Sequence, residues 1–135
     1  MSQRRLFPLQ RYGNLLCVRA SVKGQSDDQR VVRLLLDTGS SFTVLPIQVL
    51  NDIGYETAPN QPSVRIMAAG GELRSPIVTV NEFHCLGQKL SNFPVVRMTV
   101  PFNPIFNGIL GMDFLSQWNY IINTRKGEIF LQDII

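Results

Sequence analysis

The chain has 135 residues, of which 44% are hydrophobic and 17% charged, and this composition excludes a disordered or collagen-like polypeptide. The length predicts one domain over residues 1–135. Thirteen basic against ten acidic residues leave a net charge of +3, too little by itself to indicate a nucleic-acid partner. With one histidine and two cysteines a His/Cys metal cage is excluded, so we predict no metal and no cofactor.

Residues 1–12 predict an extended N-terminal arm and contain no apolar stretch of signal-peptide length. The longest apolar region, residues 93–115, is broken by Arg97, prolines and asparagines, so we predict no membrane span. Without a signal peptide, Cys17 and Cys85 are expected to be reduced thiols in a cytoplasmic protein.

The next segment predicts a β-hairpin. Two apolar runs, Leu15–Val22 and Val31–Leu36, flank a polar loop that contains Gly24. Apolar runs of this length around a short polar loop are typical of paired antiparallel strands.

A polar loop and a short helix follow the hairpin. The sequence DTGSS at residues 37–41 separates the second strand from an apolar stretch at 42–45. Pro46 suits the first turn of a helix over residues 47–53, and Gly54 suits the end of that helix.

The middle of the chain predicts a second hairpin over residues 64–80, with a flexible tip at residues 68–71 because glycine adopts positive φ at little cost. Further strands are predicted over residues 83–93 and 95–100, followed by a loop at 101–104.

The last third predicts a short buried strand at residues 108–111, a helix at 112–118, and a hairpin formed by 120–122 and 129–131. Many short strands separated by turns are typical of an all-β barrel or sandwich.

The DTGSS loop carries the strongest chemical signal. Asp37 follows three leucines, and a carboxylate at the end of a buried strand needs hydrogen bonds or a partner charge. Gly39 lets backbone N–H groups approach the carboxylate, while Thr38 and Ser40 supply hydroxyl donors. The simpler alternative is an Asx-type turn joining two strands.

Three features together resemble the retropepsin-like aspartic proteases, in particular their cellular and bacterial single-domain members. They are the DTGSS loop, the glycine-tipped hairpin around residues 64–76, and the sequence GILGMD at 108–113. The similarity extends over residues 15–131 in the expected order. It implies an all-β, retropepsin-like acid-protease barrel with one or two short helices and one lobe per chain.

The resemblance also assigns roles to residues. It makes Asp37 the catalytic residue, supported by Thr38, Gly39 and Ser40, and it makes the second hairpin a flap over the substrate. The flap residues are Met67, Ala68, Ala69, Gly70 and Gly71, and the element that crosses the active-site loop is Ile109, Leu110 and Gly111. Unlike the pepsin pattern, this flap has no tyrosine near its tip.

The number of aspartates indicates a homodimer. Aspartic protease chemistry needs two facing carboxylates that share one proton, and this chain has a single DTG sequence. Asp113 lacks neighbouring donors of the Thr-Gly type, so we predict a structural role for it near a helix N-terminus. An active site would then combine Asp37 from two subunits, with N- or C-terminal residues as candidates for the dimer-forming end.

The predicted reaction is peptide-bond hydrolysis by water. One Asp37 acts as general base and the protonated one polarises the scissile carbonyl. A Ser40 hydroxyl that donates to the carboxylate would lower its pKa, which predicts an acidic activity optimum.

Two other functions remain open from the sequence: a catalytically silent retropepsin-like module for dimerisation or peptide binding, and a β-barrel binding module unrelated to proteolysis. A Cys–His nucleophile at His84 and Cys85 is disfavoured because adjacent strand residues point to opposite faces. The predicted partners are a protein or peptide substrate and a second copy of the chain, with no nucleic acid.

Overall fold

The computed structural model describes residues 4–68, 70–99 and 105–133. Strands dominate this part of the chain, and the two helices in it are short. The elements are β1 (Arg4–Pro8), β2 (Gln10–Tyr12), β3 (Leu15–Lys23), β4 (Gln29–Leu36), β5 (Val44–Leu45), α1 (Ile47–Asp52), β6 (Ser63–Ala68), β7 (Gly71–Cys85), β8 (Gln88–Arg97), β9 (Gly108–Leu110), α2 (Met112–Leu115), β10 (Tyr120–Asn123) and β11 (Glu128–Gln132).

Six strands close into a barrel in the order β3, β4, β9, β5, β8 and β7, because β7 pairs back onto β3 with Ala20 opposite Cys85. Closure removes the free edges that an open sheet would present. The interior is filled by side chains with no exposed surface, among them Leu34, Phe83 and Phe114. The predicted all-β class is therefore confirmed.

The first hairpin is confirmed. Strands β3 and β4 pair antiparallel, with Ala20 opposite Val32 and Val18 opposite Leu34. These side chains are buried, whereas Arg19 on the intervening position is exposed, as the two-residue period of a strand requires. The hairpin carries the chain directly to Asp37.

The prediction of separate strands over residues 83–93 and 95–100 is wrong, because the break between the two strands lies at residues 86–87. Strand β7 ends at Cys85, and a two-residue turn at Leu86 and Gly87 leads into β8, which continues to Arg97. Both turn residues have positive φ, 47° and 78°, as the tightest hairpin turns require. The predicted loop at residues 101–104 lies outside the described residues.

Both helices differ in detail from the prediction. Pro46 is the N-cap of α1 rather than a residue of its first turn, while Gly54 follows the helix with φ of 93° as predicted for its end. Helix α2 ends at Leu115, three residues earlier than predicted, because the chain must turn before β10 begins at Tyr120. Trp118 leaves the helix and packs against Phe114, with ring centroids 5.0 Å apart.

Within the segment predicted as an extended arm, residues 4–8 and 10–12 form strands that pair with other strands of the chain. Strand β1 pairs with β11 in a three-stranded sheet of order β1, β11, β10, and β2 pairs with β3. The predicted C-terminal hairpin, β10 and β11, is confirmed.

Cys17 and Cys85 are both buried and free of a disulfide, as predicted. Neither helix of the described ranges has the length and apolar character needed to cross a bilayer.

Candidate active site

Asp37 lies immediately after β4, at the end of a strand whose neighbours fill the core. Its backbone N–H donates to the carbonyl of Leu110 at 3.1 Å, which ties the start of the DTGSS loop to β9. Its carboxylate Oδ1 accepts the backbone N–H of Gly39 at 2.9 Å. A backbone donor at Gly39 therefore lies within hydrogen-bond distance of the carboxylate.

Strand β9 lies between the strand that precedes the DTGSS loop, β4, and the strand that follows it, β5. It pairs parallel with β4, with Leu36 opposite Leu110, and antiparallel with β5, with Val44 opposite Ile109. Two chain segments that flank the loop are therefore joined through one strand.

Residue 111, which follows β9, is a glycine because its surroundings leave no room for a side chain. A Cβ at Gly111 would stand 2.5 Å from the carbonyl oxygen of Phe42 and 2.9 Å from that of Ser40. The next residue, Met112, donates its N–H to the same Ser40 carbonyl at 2.8 Å. The glycine allows the backbone of β9 to approach the DTGSS loop closely enough to bind it.

Ser40 supports the loop differently from the prediction. Its hydroxyl donates to the carbonyl of Phe42 at 2.9 Å rather than to the carboxylate of Asp37, and its N–H donates to the Asp37 carbonyl at 3.1 Å. The serine closes the loop on itself, so the predicted donation of this hydroxyl to the carboxylate is wrong.

Residues 63–76 form the flap hairpin, from β6 and the first part of β7. Ile66 lies opposite Leu73, and Met67 is 78% exposed near the tip. Gly71 has φ of 121°, a conformation that glycine tolerates best. Of the other predicted tip residues, Ala69 lies outside the described residues.

A cleft of about 450 Å³ lies between the flap hairpin and the DTGSS loop. Asp37, Gly39 and Ser40 line it on the loop side, and residues 65–67 line it on the flap side. Ile109 of the crossing element contributes to its wall. The predicted site residues that line the cleft are thus Asp37, Gly39, Ser40, Met67 and Ile109, whereas Thr38, Gly70, Gly71, Leu110 and Gly111 do not line it. Asp37 is the one carboxylate among the described residues that line this cleft.

Six further residues of the same cleft were not among the predicted site residues: Ser41, Phe42, Val44, Arg65, Ile66 and Met98. Phe42 follows the DTGSS loop and could have been found from its position. Met98 lies beyond β8, and only the pairing of β8 with β5 brings it to the cleft.

Asp113 does not line this cleft. Its carboxylate accepts the N–H of Thr43 at 2.9 Å and the Thr43 hydroxyl at 2.7 Å, and it also accepts the N–H of Phe114. Asp113 lies in the first turn of α2, near the helix N-terminus as predicted, but Gly111 and not Asp113 is the N-cap.

A second groove on the described surface lacks the carboxylate that the reaction needs. A larger groove of about 530 Å³ beside β4 is lined by Arg19 and Arg33 but by no carboxylate. No group of three or more His, Cys, Asp or Glu side chains within residues 4–68, 70–99 and 105–133 is placed to hold a metal ion.

The closed barrel, the crossing strand and the flap hairpin define a retropepsin-like fold. The crystal structure of a retropepsin-like aspartic protease from Rickettsia conorii is similar with a TM-score of 0.69 and 18% identity, over 98% of this chain and 93% of that one. A family model described as aspartyl protease matches residues 18–114. The match covers more than half of the sequence, and the chain belongs to the aspartyl protease family. A search among curated proteins found no match.

Proposed function

We propose that the protein is an aspartic endopeptidase that works as a homodimer, with one Asp37 from each subunit in a shared active site. The observation that carries the proposal is a single carboxylate, Asp37, in a cleft covered by the flap hairpin. The proposed reaction needs one ionised and one protonated carboxyl group at the same time, so a second copy has to supply the other group.

The chemistry follows from two carboxyl groups that share one proton. The ionised Asp37 removes a proton from a bound water, and the protonated Asp37 donates a hydrogen bond to the scissile carbonyl. Gly39 stabilises the ionised form through its N–H, and the second oxygen of Asp37 has no protein donor within the described residues. No covalent intermediate with the enzyme forms.

An extended peptide is the substrate that this cleft fits best. The flap strand, residues 63–68, offers main-chain groups to a peptide laid beneath it, as a sheet edge does to an added strand. Ile66, Met67 and Ile109 give the cleft apolar walls, which favour apolar side chains near the cleaved bond. The two free thiols are compatible with the predicted cytoplasmic location.

The proposal is tested by mass-spectrometric mapping of cleavage in a denatured protein substrate over a range of pH. Wild-type protein is expected to cleave with a bell-shaped pH profile, because one carboxyl must be protonated and the other ionised. The Asp37→Asn variant is expected to be inactive and equally stable. Asp27→Asn is the matched control, since Asp27 is an exposed residue with φ of 66°, which asparagine also adopts.

Absence of cleavage by the wild-type protein would overturn the proposal. A catalytically silent peptide-binding module would then be favoured if the protein bound peptides with equal affinity before and after Asp37→Asn. Cleavage that survives Asp37→Asn would show that another residue carries the chemistry.

A further inference from the structure

Thr43 and Asp113 form a buried polar clamp behind the DTGSS loop. Thr43 has no exposed surface, yet both its backbone N–H and its hydroxyl donate to Asp113, at 2.9 Å to Oδ2 and 2.7 Å to Oδ1. The Thr43 hydroxyl oxygen also accepts the N–H of Gly111 at 3.2 Å. The N–H of Phe114 donates to Oδ1 of Asp113 at 2.8 Å.

The donor pattern needs a threonine or serine hydroxyl at residue 43 and two hydrogen-bond-accepting oxygens at residue 113. The Thr43 hydroxyl accepts the N–H of Gly111 and donates its own hydrogen to Asp113. Asp113 therefore receives three donors, which a carboxylate accepts and an amide does not. With asparagine at 113, its NH₂ group would face an N–H or the hydroxyl, and a buried donor would lose its partner.

The clamp connects to Asp37 through the backbone. Thr43 follows Phe42, whose carbonyl accepts the Ser40 hydroxyl, so it holds the far end of the DTGSS loop. Asp113 and Gly111 belong to the segment that binds the near end, through the Leu110 carbonyl and the Asp37 N–H. The hydrogen bonds of the clamp thus close a ring of contacts around the loop that carries the Asp37 carboxylate.

We propose that Thr43 and Asp113 are positioning residues that hold Asp37 in its reactive orientation. This inference rests on the proposed protease function. Neither residue contacts the reacting atoms, and the effect is expected on kcat, since a small displacement of a reacting group slows the chemical step more than it weakens binding.

The test separates positioning from stability with two substitutions at one site. Thr43→Val keeps the side-chain shape and removes the hydroxyl, whereas Thr43→Ser keeps the hydroxyl and removes a buried methyl. Rates are measured per active site, titrated with a statine-type peptide, well below the unfolding temperature. We expect Thr43→Val and Asp113→Asn to lower kcat by roughly tenfold to a hundredfold with a smaller change in KM, and Thr43→Ser to retain most of kcat.

Two controls sharpen the result. The double variant Thr43→Val/Asp113→Asn is expected to lose about as much as either single one, because both remove the same contact. Ser116→Ala removes a hydroxyl on the turn after α2 that donates to the Met112 carbonyl, and it is expected to leave kcat unchanged. If kcat followed thermal stability instead, with Thr43→Ser as impaired as Thr43→Val, the inference would be overturned.

Amide hydrogen exchange gives a readout independent of activity. We expect faster exchange in residues 37–43 for Thr43→Val and Asp113→Asn and unchanged exchange for Ser116→Ala. Unchanged exchange in all variants overturns the clamp itself. If the variants exchange faster but the wild-type protein cleaves no substrate, the clamp exists and the proposed protease function is overturned. The clamp then has no catalytic role.

Discussion

Gly111 lies against the carbonyl oxygen of Ser40 so closely that a Cβ in its place would stand 2.9 Å from that oxygen. The contact joins the crossing strand to the DTGSS loop at a point where both partners are backbone. Backbone atoms cannot rotate away as a flexible side chain can, so the approach of the two segments depends on a residue without a side chain.

We therefore predict that Gly111→Ala is destabilising and inactivating. The added methyl meets Phe42 and Ser40 backbone, and overpacking of this kind costs about 1–3 kcal/mol in the free energy of unfolding. Urea denaturation measures the cost. Gly70→Ala is the control for stability, since nothing lies within 4 Å of a Cβ there, and equal stability of the two variants would contradict the prediction.

If two subunits share one active site, as proposed, an inactive subunit should inhibit the wild-type subunit with which it pairs. When wild-type protein is mixed and re-equilibrated with an equal amount of Asp37→Asn, activity per wild-type subunit is expected to fall by about half, because half of those subunits then have an inactive partner. Mixing with Asp27→Asn is expected to cause no loss. Unchanged activity in the first mixture would mean that each chain acts alone.

Tyr55 joins three segments through its hydroxyl, and we predict that Tyr55→Phe is destabilising. The ring is 3% exposed, and the hydroxyl donates to the Lys23 carbonyl and accepts the N–H of Asn81. Its removal takes this partner from the partly buried Lys23 carbonyl and Asn81 N–H, at a cost of about 1 kcal/mol by denaturant unfolding. Tyr12→Phe keeps the ring beneath the Arg33 guanidinium and should cost clearly less.

Glu82 is predicted to make stability depend on pH. Hydrogen bonds from Lys89 and then Lys23 hold the pKa of this carboxyl below its ordinary value. A carboxylate with a lowered folded-state pKa stabilises the fold above its unfolded pKa, and this contribution is lost as the pH falls through the folded value. Glu82→Gln should therefore reduce the urea midpoint slightly at neutral pH and leave it unchanged in strong acid.

The same urea titrations include Glu56→Gln, because Glu56 is an exposed carboxylate outside the ion pairs formed by Glu82. Its substitution is expected to leave the midpoint unchanged at both pH values. A Glu82→Gln effect that persisted in acid would exclude the ion pairs as its cause.

The thiols are predicted to be inert in the folded protein. Burial raises the pKa of Cys85 to about 12 and also raises that of Cys17. Since the thiolate is the reactive form, iodoacetamide at mildly alkaline pH should modify neither residue until the protein is denatured. Proteolysis should be unaffected by the reagent, and rapid labelling of the native chain would contradict the assignment of both thiols to the interior.

The local pattern of apolar runs, polar turns and glycines was sufficient to predict many strands and turns of this fold. The hairpin of β3 and β4 and the hairpin of β10 and β11 followed from apolar runs around polar turns, and the end of α1 followed from Gly54. The turn at Leu86 and Gly87 was missed, because a leucine with positive φ is uncommon and the flanking residues continue the strand pattern. Gly87, a glycine within that pattern, was the available signal.

The sequence by itself determined the aspartyl protease class, the loop that carries Asp37 and the glycines that surround it, because these depend on residues adjacent in the chain. Tertiary structure alone decided that Ser40 binds Phe42, that Thr43 binds Asp113 and that Met98 reaches the cleft. The physical reason is that strand periodicity specifies which face a side chain occupies but not its distant partner. Those partners are selected when β9 inserts between β4 and β5 and β7 closes the barrel on β3.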